Sequence, residues 1–193
     1  RLKLEGTFFL PDGRAVTGEL SVRAENGQIV LADCACREII RQKELILNPG
    51  PSSDAFFTVL NVKIGIDFHW QRIQEQSFRG ALLLSIAGRN DFHLINVVPL
   101  EDYLASVISS EMSAEAPLEF LKTQAVTARS WLVAMLAKKK APRQTTRMND
   151  ENEIIVWQDV NDHEGFDVCA DDHCQRYQGI TRIISENVAR AID

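Results

Sequence analysis

Two cysteines and two histidines fall within a short segment near the carboxyl-terminal end of the chain: His163, Cys169, His173 and Cys174. Thiolate sulfur and imidazole nitrogen are the usual ligands of zinc, and four of them can close a tetrahedral site. His173 and Cys174 are adjacent, so both can bind one ion only if the backbone turns there; otherwise three ligands and a water are expected. The segment predicts a zinc site, with a local disulfide or chance burial as alternatives.

A second candidate is the glutamate of the segment Ser109-Ser110-Glu111-Met112, which lies between two stretches of helical periodicity. A carboxylate held between two rigid helices can face a cleft and serve as a general acid. The alternative is an ordinary solvated carboxylate at a helix end. On periodicity alone the other acidic residues nearby are equally plausible, namely Glu101, Asp102, Glu115 and Glu119.

Three further patterns are weaker. Lys122 and Arg129 are seven residues apart and share a helix face, which suits an anionic ligand but is also typical of a solvated face. His69-Trp70 could stack on a sugar, although a Trp buried on a strand is the commoner situation. Cys34-Ala35-Cys36 would place both thiols on one side of a strand. With no histidine nearby that pair looks structural or oxidised, and we assign it no role.

These residues need elements to position them, and the first half of the chain indicates strands. Residues 1–97 contain short alternating or β-branched stretches, such as Gly18–Arg23, Val59–Ile66 and Ala81–Ile86. Turn signals separate them every 8–12 residues or so, as several antiparallel strands require. The turns are predicted at residues 11–13, 25–27, 48–51 and 88–90.

The pattern changes to helical at Pro99. Apolar residues then follow three-four spacing through Ile108, a break is predicted over 109–116, and a second helix begins at Pro117 and ends before Pro142. Residues 141–153 are predicted as a loop, Ile154–Trp157 as a short strand, and 180–193 as alternating and then helical. The combination indicates an α+β fold, in which two central helices pack on antiparallel strands.

Bulk composition excludes some functions. Of 193 residues, 45% are hydrophobic and 25% charged, as in globular domains, and the net charge of -6 argues against a nucleic-acid-binding protein. The longest apolar runs are too short to span a bilayer. The sequence starts at Arg1 rather than at a methionine, so we expect a fragment or a processed form.

Several motifs in the second half resemble the stage II sporulation protein D family, which includes the LytB-type amidase enhancers. The first signature comprises Val97–Leu104, Ser110–Met112 and the stretch from Pro117 to Ser130. The second comprises Phe166–Cys169 with Cys174–Gly179, and Phe78-Arg79-Gly80 resembles the start of the domain. The resemblance covers about residues 76–193 and implies a catalytic domain that continues beyond Asp193. Residues 1–75 would be a β-rich accessory region.

The resemblance implies an exported protein, in the periplasm, outside the cell or attached to the envelope, that acts on peptidoglycan glycan strands. It implies a lytic transglycosylase that cleaves strands stripped of peptides, with Glu111 as the catalytic residue. A structural zinc would be held near the cleft by Cys169 and Cys174 with His163 and His173. The polar residues expected to contact the glycan are Lys122, Gln124, Arg129 and Tyr177. The alternative is a non-catalytic enhancer that binds glycan or a cell-wall amidase.

A single glutamate is chemically sufficient for such an enzyme. Glycosidases that use water normally need two carboxylates, an acid and either a base or a nucleophile. A lytic transglycosylase can protonate the bridging oxygen and then remove the proton of the sugar's own 6-hydroxyl, which closes an anhydro ring. Because no water has to be activated, no second carboxylate is required.

Overall fold

The computed structural model describes residues 1–51, 54–65, 69, 71–140, 163–170, 173–182 and 184–193. Within these ranges the chain forms nine antiparallel strands and three α-helices, as the predicted α+β class requires. The strands run in the order β4-β3-β2-β1-β5-β8-β9, and β6 pairs with both β1 and β7. Their bounds are β1 Leu2–Phe9, β2 Ala15–Glu25, β3 Gln28–Asp33, β4 Glu38–Gln42, β5 Glu44–Pro49, β6 Phe56–Ile64, β7 Arg72–Phe78, β8 Ala81–Ile86 and β9 Phe92–Val97.

Three of the four predicted turns join consecutive strands, whereas the one at 48–51 begins inside β5, whose last residues Asn48 and Pro49 pair with β1. Asn26 and Gly27 join β2 to β3 with φ of 52° and 75°, the left-handed pair that a two-residue hairpin needs. The predicted turns at 11–13 and 88–90 likewise join β1 to β2 and β8 to β9. The sequence therefore located these hairpins through glycine, proline, asparagine and aspartate, the residue types that favour turns.

Three helices follow the sheet: α1 Leu100–Glu111, α2 Leu118–Lys140 and α3 Glu186–Ile192. A short 3-10 turn, Gly179–Thr181, precedes α3. The predicted break after Ile108 was wrong by three residues, because Ser109 and Ser110 continue the helix and α1 ends at Glu111. The hydroxyl oxygens of both serines are shielded from solvent. Tertiary packing therefore overrides their weak helix propensity.

The core lies where the helices meet the sheet. One cluster joins Phe8, Leu47, Phe57 and Leu82 of the strands to Leu104 of α1, all fully buried. A second cluster lies among the three helices and comprises Ala105, Ile108, Leu121, Ala125, Val188 and Ala191. Seven consecutive residues of α1, Tyr103 to Ser109, are buried, so the helix that ends at Glu111 is enclosed on almost every side. That enclosure fixes the position of its last residue.

The division at residue 75 stays a prediction. Strand β7 spans residue 75, and β5 pairs with β8 across it through Leu45–Leu84 and Leu47–Leu82. The predicted loop over 141–153, the strand over Ile154–Trp157 and Trp70 lie outside the described residues. None of the described helices combines the length and apolar character that crossing a bilayer requires.

Candidate functional site

Glu111 is the last residue of α1, and its side chain is exposed. Oε2 accepts a hydrogen bond of 2.8 Å from the side-chain amide of Gln124 on α2. Oε1 accepts one of 3.3 Å from the backbone N–H of Arg176. The carboxylate is therefore held between the end of one helix, the face of the next and the segment that follows Cys174.

A cavity of about 220 Å³ opens beside this carboxylate. Its walls come from α1, from one face of α2 and from the segment after His173. The lining residues are Glu111, Gln124, Thr127, Ala128, Trp131, Cys174 and Gln175. Among these described lining residues Glu111 is the only carboxylate, and Trp131 has the largest apolar side chain. The cavity can accept an uncharged polar ligand the size of a sugar ring.

Gln175 fastens the segment 174–178 to the helices. Its buried side-chain amide donates to the Ala128 carbonyl of α2 at 3.3 Å and accepts from the Tyr103 hydroxyl of α1, also at 3.3 Å. Burial and the nearby Cys174 raise the pKa of Tyr103, so this hydroxyl stays protonated and can donate. Three residues later, the Gln178 N–H donates to Ser106 Oγ at 3.2 Å. The segment is thus bound to buried groups on both sides of the Arg176 N–H.

The predicted zinc residues come together in the structure. Ligand atoms of His163, Cys169, His173 and Cys174 all lie within 4.8 Å of one another. His163 Nε2 is 2.9 Å from Cys174 Sγ, and His173 Nδ1 is 3.6 Å from Cys174 Sγ and 3.9 Å from Cys169 Sγ. A bend at His173 and Cys174 lets both adjacent side chains face the same point. Two thiols and two imidazoles in this arrangement could hold a metal ion.

The state of the thiols fits a metal that displaces protons. Burial, together with the neighbouring Cys169, raises the pKa of Cys174 to about 11, so without a metal its sulfur keeps its proton at neutral pH. Cys169 and Cys174 form no disulfide with each other, so the local disulfide is not the arrangement seen here. Lys139 of α2 donates to the carbonyl of Phe166, whose ring packs on His163 with centroids 4.9 Å apart. The carboxyl-terminal end of α2 thereby anchors the loop that carries the four candidate ligands.

Comparisons with known proteins identify the family of the chain. The model of the family described as stage II sporulation protein matches residues 88–193, which is more than half of the chain. The chain belongs to the stage II sporulation protein D family. It is 34% identical over 71 residues to stage II sporulation protein D of Bacillus amyloliquefaciens, a stretch that covers 36% of this chain and 21% of that relative. No solved structure matches significantly.

The stage II sporulation protein D match contains Glu111, all residues that line the cavity and all four metal-ligand candidates. The resemblance deduced from the signatures is therefore confirmed. The roles of the individual residues stay predictions, and residues 1–87 lie outside the matched region.

The four predicted glycan-contacting residues take different places in this stage II sporulation protein D domain. Gln124 donates a hydrogen bond to Glu111. Lys122 instead forms an ion pair with Glu119 on the exposed face of α2, with Nζ 2.9 Å from Oε1. Arg129 binds Glu101 of α1 and the Ile192 carbonyl at the end of α3. Of these four residues, Gln124 is the one found among the described residues that line the cavity. For Lys122, Arg129 and Tyr177 the predicted contact with glycan stays a prediction.

Tyr177 is buried, and it lines a second pocket together with Arg79 and Asp102. Its ring stacks on Tyr103 with centroids 5.0 Å apart, and its hydroxyl donates to Asn96 Oδ1 of β9 at 2.5 Å. Burial raises its pKa, so the hydroxyl remains a donor. In this position Tyr177 connects the segment after the metal loop to the sheet.

Sequence reasoning missed Thr127, Trp131 and Gln175 as cavity residues. The signal for the first two was present, because residues 124, 127, 128 and 131 lie on one face of a helix by three-four spacing. Gln175 gave no such signal, because its position depends on how the loop that carries the four candidate metal ligands bends. Cys34 and Cys36 were also misplaced: they lie in and just after the turn between β3 and β4, and not on a strand.

Proposed function

We propose that the chain is a peptidoglycan lytic transglycosylase domain that cleaves peptide-stripped glycan strands with Glu111 as its single acid and base. Family membership supports a role at the cell wall. The observation that carries the finer proposal is the position of Glu111, whose carboxylate lines the cavity and is held by Gln124 and by the Arg176 N–H. A general acid has to be positioned in this way within reach of the bond that it protonates.

In the proposed reaction Glu111 gives its proton to the bridging oxygen between two sugars as that bond breaks. The resulting carboxylate then accepts the proton of the sugar's 6-hydroxyl, whose oxygen closes the anhydro ring, so Glu111 ends as it began. Gln124 and the Arg176 N–H orient the two oxygens in both phases. Trp131 supplies an apolar wall on which a sugar face can stack.

A zinc ion fits the cluster of His163, Cys169, His173 and Cys174, through one nitrogen of each imidazole and the two sulfurs. A site with four protein ligands has no open position, so we propose a structural role. Bound zinc would supply loop stability. The chain's own residues place the Arg176 N–H, two residues beyond Cys174, against Glu111.

An exported location and glycan strands as partner are part of the proposal, since the substrate lies outside the cytoplasm. A second candidate is a non-catalytic amidase enhancer that binds glycan. The contacts on both oxygens of Glu111 are compatible with this candidate as well, because they would also hold a carboxylate that does not take part in catalysis.

Denuded glycan incubated with the chain and analysed by mass spectrometry tests the proposal. We expect products with anhydro ends, and we expect Glu111→Gln to slow their release by roughly 100-fold or more, the contribution of general acid–base catalysis. Glu115→Gln is the matched control, because Glu115 is exposed four residues away and does not line the cavity. Product release that survives Glu111→Gln, or glycan binding without cleavage by the unaltered chain, would point to the enhancer.

A further inference from the structure

The connection between β3 and β4 presents two cysteines that the proposed function does not use. Cys34 and Cys36 are both exposed free thiols, whereas Cys169 and Cys174 are half-buried in the metal-binding cluster. We refer to Cys34 and Cys36 as the turn dithiol. Their exposure excludes a role in the core, and among the described residues no histidine or carboxylate joins them in a metal-ligand group.

Asp33 holds this turn in a defined shape. Its Oδ1 accepts hydrogen bonds of 2.9 Å from the N–H groups of Ala35 and Arg37, and its Oδ2 accepts one of 2.8 Å from Arg37 Nε. The Asp33 carbonyl accepts from the Cys36 N–H at 3.0 Å, which closes the turn. Consecutive Cα atoms lie about 3.8 Å apart, so two residues in sequence and a turn between them keep the Cα atoms of the two cysteines less than about 7.6 Å apart. Disulfides span roughly 4.4–6.8 Å between Cα atoms.

Turn formation does not explain the residue types. Cys36 has a φ of 61°, which is the left-handed conformation. Glycine adopts this conformation readily, whereas for a residue with a Cβ it costs about 1–2 kcal/mol. Because the thiol is exposed, packing does not offset that cost. A thiol therefore stands at a position that glycine would fill at lower cost, and a second exposed thiol lies two residues away on the same turn.

We propose that the turn dithiol is a thiol–disulfide exchange site that takes a disulfide as its substrate. One thiolate attacks a disulfide sulfur, forms a mixed disulfide and releases the first thiol of the substrate. The second cysteine then attacks the protein sulfur of that bond and releases the second thiol. Overall the two cysteines lose two electrons and two protons and become the Cys34–Cys36 disulfide, while the substrate disulfide is reduced to two thiols.

The experiment exposes the metal-loaded chain to buffers with different ratios of glutathione disulfide to glutathione, followed by acid quenching, alkylation and trypsin digestion. Trypsin gives residues 24–37 with Cys34 and Cys36, and residues 148–176 with Cys169 and Cys174, so mass spectrometry distinguishes the two pairs. We expect peptide 24–37 to gain an internal disulfide with a two-electron dependence on the ratio. Peptide 148–176 should stay reduced. Persistent glutathione adducts, disulfide-linked dimers or no oxidation of peptide 24–37 would overturn the proposal.

Variants separate the mechanism from simple thiol exposure. Cys34→Ser and Cys36→Ser should each stop at the glutathione adduct, because the second attack has no thiol. Asp33→Ala should shift peptide 24–37 from the internal disulfide toward adducts by several-fold. Asp12→Ala is the matched control, since Asp12 makes the same kind of contacts with Arg14 in the turn between β1 and β2 and should change nothing. Equal behaviour of the two aspartate variants would refute a preorganised site.

Discussion

At the scale of single residues, the contact between Gln124 and Glu111 is the most informative. The amide of Gln124 was predicted to bind glycan, and the structure places it 2.8 Å from Oε2 of the proposed catalytic acid. A side chain in that position can orient the carboxylate, contact the sugar, or do both. The two roles affect different kinetic parameters.

We predict that Gln124→Met lowers kcat for glycan cleavage by roughly 10- to 100-fold while KM changes little. The reason is the loss of a hydrogen bond to a charged group, which contributes about 1.5–3 kcal/mol. Steady-state kinetics on denuded glycan measures both parameters. Thr123→Val is the control, because the Thr123 hydroxyl donates to the Glu119 carbonyl and does not reach the cavity. A raised KM with unchanged kcat would instead assign Gln124 to the substrate.

At the scale of elements, the site depends on how the segment 174–181 joins the sheet. Gly179 has φ of 58°, and a Cβ there would lie 2.2 Å from the Ser77 carbonyl oxygen and 2.4 Å from the Phe78 ring. The Thr181 hydroxyl adds a hydrogen bond of 2.9 Å from the Ser77 N–H. The close approach of backbone to β7 therefore requires glycine, and it fixes the segment that carries the Arg176 N–H.

We predict that Gly179→Ala lowers the free energy of unfolding by about 2–4 kcal/mol, since it adds overpacking to left-handed backbone strain. Gly13→Ala provides the matched control: its φ is 83°, but no atom lies within 4 Å of the added Cβ. That variant should lose only about 1–2 kcal/mol from the strain itself. Urea denaturation measures both. Equal losses would show that the contact with β7 relaxes without cost.

Sequence patterns predicted the individual helices and strands better than the tertiary contacts between them. The periodic apolar positions predicted α1 and α2, and their members Leu104, Leu121 and Ala125 are buried as expected, because helix periodicity is a local property. The end of α1 was misplaced, since burial of Ser109 is decided by distant chain. The metal ligands were recognisable by residue type, whereas Gln175 acquires its place only after the loop has bent. Site residues positioned by tertiary contacts leave no periodic signal.

At the scale of the whole molecule, the loop that carries the four candidate metal ligands links the carboxyl-terminal end of α2 to the segment that contacts Glu111. Lys139 binds the loop at its start, through the carbonyl of Phe166, and Gln175 binds it at its end, through Ala128 and Tyr103. A metal ion at the cluster would stabilise the folded chain, because the unfolded chain offers no preformed site. The protons that the ion displaces make this stabilisation depend on pH.

We predict that the metal-free chain loses stability as pH rises from about 9 to about 11. In the unfolded chain the Cys174 thiol ionises near its ordinary pKa of 9.0, whereas burial and Cys169 raise its pKa in the folded chain to about 11. Between these values the folded state binds more protons, so the free energy of unfolding falls as pH rises. Urea denaturation of the metal-free chain against metal-free Cys174→Ser isolates this contribution from tyrosine and lysine ionisation.

When the chain is loaded with zinc, the contribution of Cys174 to stability should rise with pH instead of falling. The ion replaces the thiol proton, so its apparent affinity rises with pH through the neutral range, and each ion bound releases protons to the buffer. Calorimetry in two buffers of different ionisation enthalpy counts those protons, and Cys174→Ser should release fewer. If the unaltered chain bound zinc with no proton release at neutral pH, Cys174 would already be a thiolate or would not bind the ion. The first result would contradict the effect of burial on Cys174, and the second would contradict its role as a metal ligand.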